Sequence, residues 1–225
     1  PLAPHAWAPL PEETLSLLRR LDVFITERGK TARQFLKEAQ TTVPFPSMTF
    51  FELNKYTKPE ELPSFLEPAL AGKDIGLMSE AGCPGVADPG ADVVQYDHDL
   101  GIPVVPMVGP SSILLALMGS GLNGQRFAFH VYLPIKNPAR KKALKELEQQ
   151  SRQKQQTQIF IETPYRNDGL IADMLSGLQP HTRLCIAADL TAPNSFLQTK
   201  TLLGWKRDAP PRLHKRPTIF LFLAS

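Results

Sequence analysis

The stretch Asp74–Ser112 reads DIGLMSEAGCPGVADPGADVVQYDHDLGIPVVPMVGPSS. Its opening, DIGLMS over Asp74–Ser79, is a short apolar run with no helical period, as a buried strand requires. A Gly/Pro-rich loop, Ser79–Gly90, follows. Pro89–Asp97 then reads as a helix, with Asp88 a good N-cap and Pro89 at the first helical position. PVVPM, Pro103–Met107, predicts a second strand. Val108-Gly109-Pro110-Ser111-Ser112 is a second loop, and a helix over Ser111–Met118 follows it. Strand, loop and helix in alternation point to an α/β domain with a largely parallel sheet. In such sheets ligands bind beyond the carboxyl ends of the strands, which is where both loops lie.

Working outward, strands are expected at Leu21–Ile25 and Met48–Phe51, with helices at Thr31–Ala39 and Glu60–Leu70. Pro63 and Pro68 end or kink the latter. After Gly119-Ser120-Gly121 the character shifts. Strands are expected at Phe127–Leu133, Thr157–Ile161, Leu184–Ala188, Phe196–Leu203 and Thr218–Leu223. Asn137–Arg152 is a charged amphipathic helix and Asn167–Leu178 another helix. This half is rich in strands and predicts an α+β domain with a mixed sheet. The expected division is residues 1–123, a mostly parallel α/β domain, and 124–225, with the boundary near Leu122–Gly124.

Hydrophobic residues make up 42% and charged residues 21% of the 225, the balance of an ordinary globular protein. The apolar run Ile113–Met118 is too short to cross a bilayer, and no signal-peptide pattern opens the chain. No membrane association and a cytoplasmic location are therefore expected. Cys83 and Cys185 are the only cysteines, with no CxxC and no paired His spacing, so neither a disulfide framework nor a zinc site is expected. The chain reads as metal-free. The net charge of +3 permits an anionic partner such as RNA without requiring one.

The first loop lacks the GxGxxG of a dinucleotide fold and the GxxxxGK[ST] of a P-loop, which argues against a diphosphate ligand. Its small residues let the backbone approach a ligand closely. Ordinary tight turns use Gly and Pro in the same way, and composition alone favours that reading over a ligand loop. The second loop, with two hydroxyls and exposed amides, suits a carboxylate or ribose hydroxyls, and equally suits a plain Ser N-cap.

Five motifs in order add to this. GLMSEAGCPGVADPG resembles the "SDAGTP…SDPG" loop of the tetrapyrrole (corrin/porphyrin) methylase superfamily. VPMVGPSSILLALMGSGL resembles its "PGPSA…ALSASGL", and FAFHVYLPIK its "F.F.GFLP.K". TQIFIETPYR is similar to "T.IFYESPHR", and IAADLT to "ARELT". Within the superfamily the likeness is to the branch that methylates a cytidine 2′-hydroxyl of 16S ribosomal RNA. The resemblance implies S-adenosylmethionine in a cleft between the two domains. Glu80, Ala81, Gly82, Cys83 and Val86 would line the first cofactor loop, and Ser111 and Ser112 would meet the methionine end. Ile161, Glu162 and Thr163 would come from the ETPYR loop. Ala187, Ala188 and Leu190 would border the adenine pocket. It also implies a homodimer and ribosomal RNA as partner.

The chain departs from the family at several places. Glu80 replaces the usual Asp, Cys83 the usual Thr and Tyr165 the usual His. Ala188-Asp189-Leu190-Thr191-Ala192 lacks the Arg and Lys of "ARELTK". Pro1-Leu2-Ala3 stands inside the family's opening "TPIGN" loop, so the family's first strand has no counterpart in this sequence. These changes bear on the acceptor more than on the cofactor. An alcohol acceptor needs a base or a polarising contact. Glu162 is the candidate base, although a structural carboxylate fits it as well. Tyr165 could stack on a base and Arg166 grip a phosphate; each could equally be a surface residue. The basic run Lys136–Lys145 and the group Lys206, Arg207, Arg212, Lys215 and Arg216 suit RNA or a solvated face. Two rival readings are a methylase of a tetrapyrrole or other small molecule, and a non-catalytic homologue that binds the cofactor.

Overall fold

The computed structural model describes residues 8–225, so Pro1–Ala3 and the question of the TPIGN loop lie outside the described residues. The chain divides into two compact units, one ending at Ser111 and the other running from Ser112 to Ser225.

In the first unit, helix α1 (Glu12–Arg20) precedes strand β1 (Val23–Thr26), helix α2 (Gly29–Glu38) and strand β2 (Thr49–Glu52). Helix α3 (Leu62–Leu70), strand β3 (Ile75–Met78) and helix α4 (Gly90–Asp99) complete it. The sheet is wholly parallel in the order β2-β1-β3, with Val23 opposite both Thr49 and Ile75. The strands alternate in facing. Phe24, Phe50 and Met78 pack on one side with Leu15 and Leu18 of α1 and Phe35 and Leu36 of α2. Ile25, Phe51 and Leu77 pack on the other with Phe65 and Leu66 of α3 and Val93 of α4. Gly76 is directly opposite Phe24, and the ring fills the place a side chain would take. The central strand leads first to β2 on one side and the chain then crosses to β3 on the other. The loops after β1 and β3 therefore diverge, and the crevice of an open α/β sheet forms at such a reversal.

Helix α1 has no counterpart among the expected elements. Its signals are Glu12 and Glu13 in the first turn and Arg19 and Arg20 in the last, which complement the helix dipole. The strand expected at Pro103–Met107 does not form. Pro103 and Pro106 have no N–H to give a ladder, and Val105 is 73% exposed. The helix expected from Pro89 begins at Gly90.

The second unit holds α5 (Ser112–Ser120), β4 (Phe127–Tyr132), α6 (Asn137–Lys154), β5 (Thr157–Ile161), α7 (Asn167–Gly177) and β6 (Arg183–Ala188). Strand β7 (Phe196–Thr201), helix α8 (Leu202–Asp208) and strand β8 (Thr218–Leu223) follow. The mixed sheet runs β4-β5-β8-β6-β7, parallel between β4 and β5 and antiparallel elsewhere. Phe220 and Phe222 of β8 face α6, α7 and Trp205 of α8, while Ile219 and Leu221 face α5. Ala116 and Leu117 of α5 are buried against this second face, which places α5 in this unit. The division thus falls at Ser111–Ser112 rather than near Leu122–Gly124. The strand expected over Phe196–Leu203 stops at Thr201, whose hydroxyl accepts from Gly204 N at 3.1 Å and caps α8. Of the expected run, only Leu202 and Leu203 turn into helix.

Candidate functional site

The first loop leaves β3 where the sheet reverses. Backbone turns at Gly82 and Gly85 have φ of +77° and +75°. L side chains are strained there, and glycine is not. Asp88, half-buried, sets the rest: its Oδ1 accepts from Gly85 N at 2.6 Å and Gly90 N at 2.9 Å. Asp88 therefore ties the loop to the start of α4, one position ahead of the residue that caps the helix. The two loops singled out in the sequence meet within this unit, where the Cys83 thiol lies 3.9 Å from Pro110 O.

Glu80 begins the loop. Its backbone N–H donates to Glu27 Oε1 at 2.8 Å, which links the ends of β3 and β1. Its own Oε1 is buried and accepts from nothing among the described residues. A buried acceptor without a donor is costly, so such an atom marks a place for a ligand or water. Ala81 and Val86 are exposed, and Gly82 and Cys83 are half-buried. Beside Gly82 a Cβ would meet nothing within 4 Å. The loop is thus held at Asp88 and Glu27 and open at Gly82. Glu27 was not legible as a site residue; the only cue was an acid directly after the first strand.

In the second unit the ETPYR loop follows β5. Glu162 is buried: its Oε1 accepts from Thr163 N and from Arg166 Nη2, both at 2.6 Å. Arg166 Nε also donates to Thr163 Oγ1 at 2.9 Å. The other Glu162 oxygen, Oε2, is buried without a partner. Glu162, Thr163 and Arg166 are therefore one cluster. Tyr165 points elsewhere: it is 69% exposed and meets His214 edge-on, ring centroids 5.6 Å apart.

The remaining residues sit on β6 and just beyond it. Ala187 packs on the α5 face of the sheet, with Ile161 and Leu190. Ala188 packs on the opposite face with α6 and α7. Strand alternation separates the two alanines, so their side chains cannot line one pocket. Ser112 opens α5, and Ser111 is the last residue of the first unit. Among the described residues no group of three His, Cys, Asp or Glu could hold a metal ion, and no helix is long and apolar enough to cross a membrane.

The chain belongs to the tetrapyrrole (corrin/porphyrin) methylases, whose model matches residues 4–203. Among individual proteins it is 32% identical to ribosomal RNA small subunit methyltransferase I of Synechocystis sp., over 77% of this chain and 59% of that protein. It is 33% identical to the protein of the same name from Bacillus subtilis, over 86% of this chain and 64% of that one. The chain thus spans about three fifths of the length of the curated relatives it matches. Among solved structures it resembles the methyltransferase CobJ, with a TM-score of 0.62 at 17% identity, covering 96% of this chain and 87% of that one. It also resembles uroporphyrin-III C-methyltransferase from Thermus thermophilus, a structure complexed with S-adenosyl homocysteine. That TM-score is 0.54 at 17% identity, over 98% and 93% of the two chains.

Proposed function

We propose that the chain is an S-adenosylmethionine-dependent methyltransferase acting on a ribose 2′-hydroxyl of ribosomal RNA. The observation that carries the cofactor is the buried, donorless Oε1 of Glu80 at the end of β3, in a loop open at Gly82. S-adenosylmethionine offers hydroxyl, ammonium and amino donors, which fit this acceptor. When bound, it supplies a sulfonium methyl carbon for in-line displacement.

In this reading Glu80, Ala81, Gly82, Cys83 and Val86 hold the cofactor together with Ser111 and Ser112. Ile161, Glu162 and Thr163 contribute from the ETPYR loop, Ala187 and Leu190 by side chain, and Ala188 by backbone. Tyr165 meets the substrate. Arg166 keeps Glu162 in place, because its guanidinium is already engaged by Glu162 and Thr163. Glu162 is the candidate to take the hydroxyl proton, at Oε2. The acceptor class is supported by the names of the relatives, which are ribosomal RNA small subunit methyltransferases. A cytoplasmic homodimer acting without a metal completes the reading.

Titration calorimetry of the full chain with S-adenosylmethionine tests the cofactor, and absence of binding rejects every methyltransferase reading. Transfer of labelled methyl to small-subunit RNA from cells lacking the protein tests the acceptor. Transfer only to a tetrapyrrole or another small molecule replaces the acceptor. Binding without transfer to any acceptor makes the chain a non-catalytic homologue. Sedimentation at a mass near the 25.0 kDa of one chain rejects the dimer.

A further inference from the structure

Tyr165 is the aromatic residue of the ETPYR loop and lies outside the buried Glu162 cluster. Its ring stands edge-on to His214, at 5.6 Å between centroids and 74° between planes. Both side chains are exposed. Two exposed aromatic rings in contact bury little apolar surface, so packing alone is a weak reason for the pair.

The backbone beneath the pair is held with unusual thoroughness. Asn167, fully buried at the start of α7, donates its amide N–H groups to Leu213 O at 3.1 Å and Arg216 O at 2.8 Å. Asp168 Oδ1 accepts from Leu213 N at 3.2 Å. Lys215 N donates to Pro164 O at 3.0 Å, and Lys215 adopts φ of +64°, a conformation that costs a non-glycine residue free energy. The segment Leu213–Arg216 is therefore clamped against the ETPYR loop, and the clamp sets His214 beside Tyr165.

Basic residues flank His214 along the chain. Arg216 is engaged, its Nε donating to Asp189 Oδ2 at 2.5 Å and its Nη2 to Asn194 O at 2.8 Å. Arg212 and Lys215 are exposed, and no carboxylate of the described residues pairs with either. Rigid exposed aromatics beside uncommitted cations are what a single-stranded nucleic acid needs: a surface for base stacking and charges for its phosphates. A duplex, whose bases are already stacked, gains nothing from such a surface.

We infer that Tyr165 and His214 form a base-stacking platform for single-stranded RNA, with Arg212 and Lys215 contacting its phosphates. The RNA class rests on the function proposed above, whereas the platform rests on the geometry of the second unit alone. Arg166, engaged with Glu162, takes no part in phosphate contact.

The test uses the full chain and a short fluorescein-labelled single-stranded RNA, followed by anisotropy, with a duplex of the same sequence in parallel. Tyr165→Ala and His214→Ala should each weaken single-strand binding on the order of tenfold. Tyr165→Phe, which keeps the ring, should bind like the parent chain. Arg212→Ala and Lys215→Ala should each lower the slope of log affinity against log salt by about 0.7, one phosphate contact on a single strand. S-adenosylmethionine affinity should not move in any of them. Unchanged RNA affinity in both alanine variants overturns the platform, as does a preference for the duplex or no RNA binding at all. If the parent chain binds RNA through these residues but does not bind S-adenosylmethionine, the platform stands and the methyltransferase reading falls.

Discussion

Glu162 and Arg166 stand four residues apart, with Arg166 Nη2 donating to Glu162 Oε1 at 2.6 Å; the carboxylate side chain is fully buried and the guanidinium 30% exposed. The relationship is asymmetric. Arg166 can turn to water, whereas Glu162 has no other charged partner among the described residues and already has one donorless oxygen.

Arg166→Ala should therefore destabilise the chain by about 2–3 kcal/mol, because it strands a buried carboxylate. Glu162→Gln, which removes the charge and keeps an acceptor for Thr163 N, should cost less. Urea unfolding midpoints at unchanged slope check both. An unmoved midpoint for Arg166→Ala would show that water already satisfies Glu162.

Glu80→Ala removes the acceptor at the end of β3. S-adenosylmethionine affinity should fall on the order of tenfold, the worth of a charge-assisted hydrogen bond. Calorimetry reads it. Stability should change little, since Glu27 holds the backbone of Glu80 and not its side chain.

Asn167→Ala leaves the carbonyls of Leu213 and Arg216 without their shared donor. A loss of about 2 kcal/mol is expected. Hydrogen exchange at the amide of Lys215, which donates to Pro164 O, should accelerate more than at the amides of β8. Equal acceleration at both would mean that the clamp is not local.

Gly76→Ala places a Cβ 2.8 Å from the Phe24 ring and 3.1 Å from Leu21. Phe24 is fully buried, so the ring has nowhere to go. A loss of about 1–3 kcal/mol, the usual range for overpacking, should appear in thermal or urea unfolding.

The two cysteines should separate on alkylation. Cys185 is fully buried, and burial pushes its thiol up from the usual range, with the Thr199 hydrogen bond opposing weakly. It holds its proton at mildly alkaline pH and is shielded as well. Cys83 is half-buried in the first loop. Iodoacetamide should modify Cys83 in the native chain and Cys185 only after unfolding, as peptide mass mapping will read.

Much of this was present in the residues. The parallel first sheet, the mixed second sheet and the two glycine loops follow from local pattern, because strand and turn preferences act over a few residues. Five ordered motifs placed the chain in its family for the same reason. Helix α1 is signalled only by its end charges, and PVVPM has the apolar composition of a strand but carries two prolines and finds no neighbour to pair with. Only the tertiary structure assigned α5 to the second unit, since that depends on which sheet face buries Ala116 and Leu117. Nor could spacing tell that Ala187 and Ala188 face opposite cores, or that Glu27 reaches Glu80 and Asn167 reaches Leu213. Those are contacts between residues dozens of positions apart, fixed by sheet order and hydrogen-bond geometry. The stretch Asp74–Ser112 by itself offered two Gly/Pro loops as candidates for a ligand. What holds its loops, and which carboxylate oxygen lacks a donor there, was decided by packing.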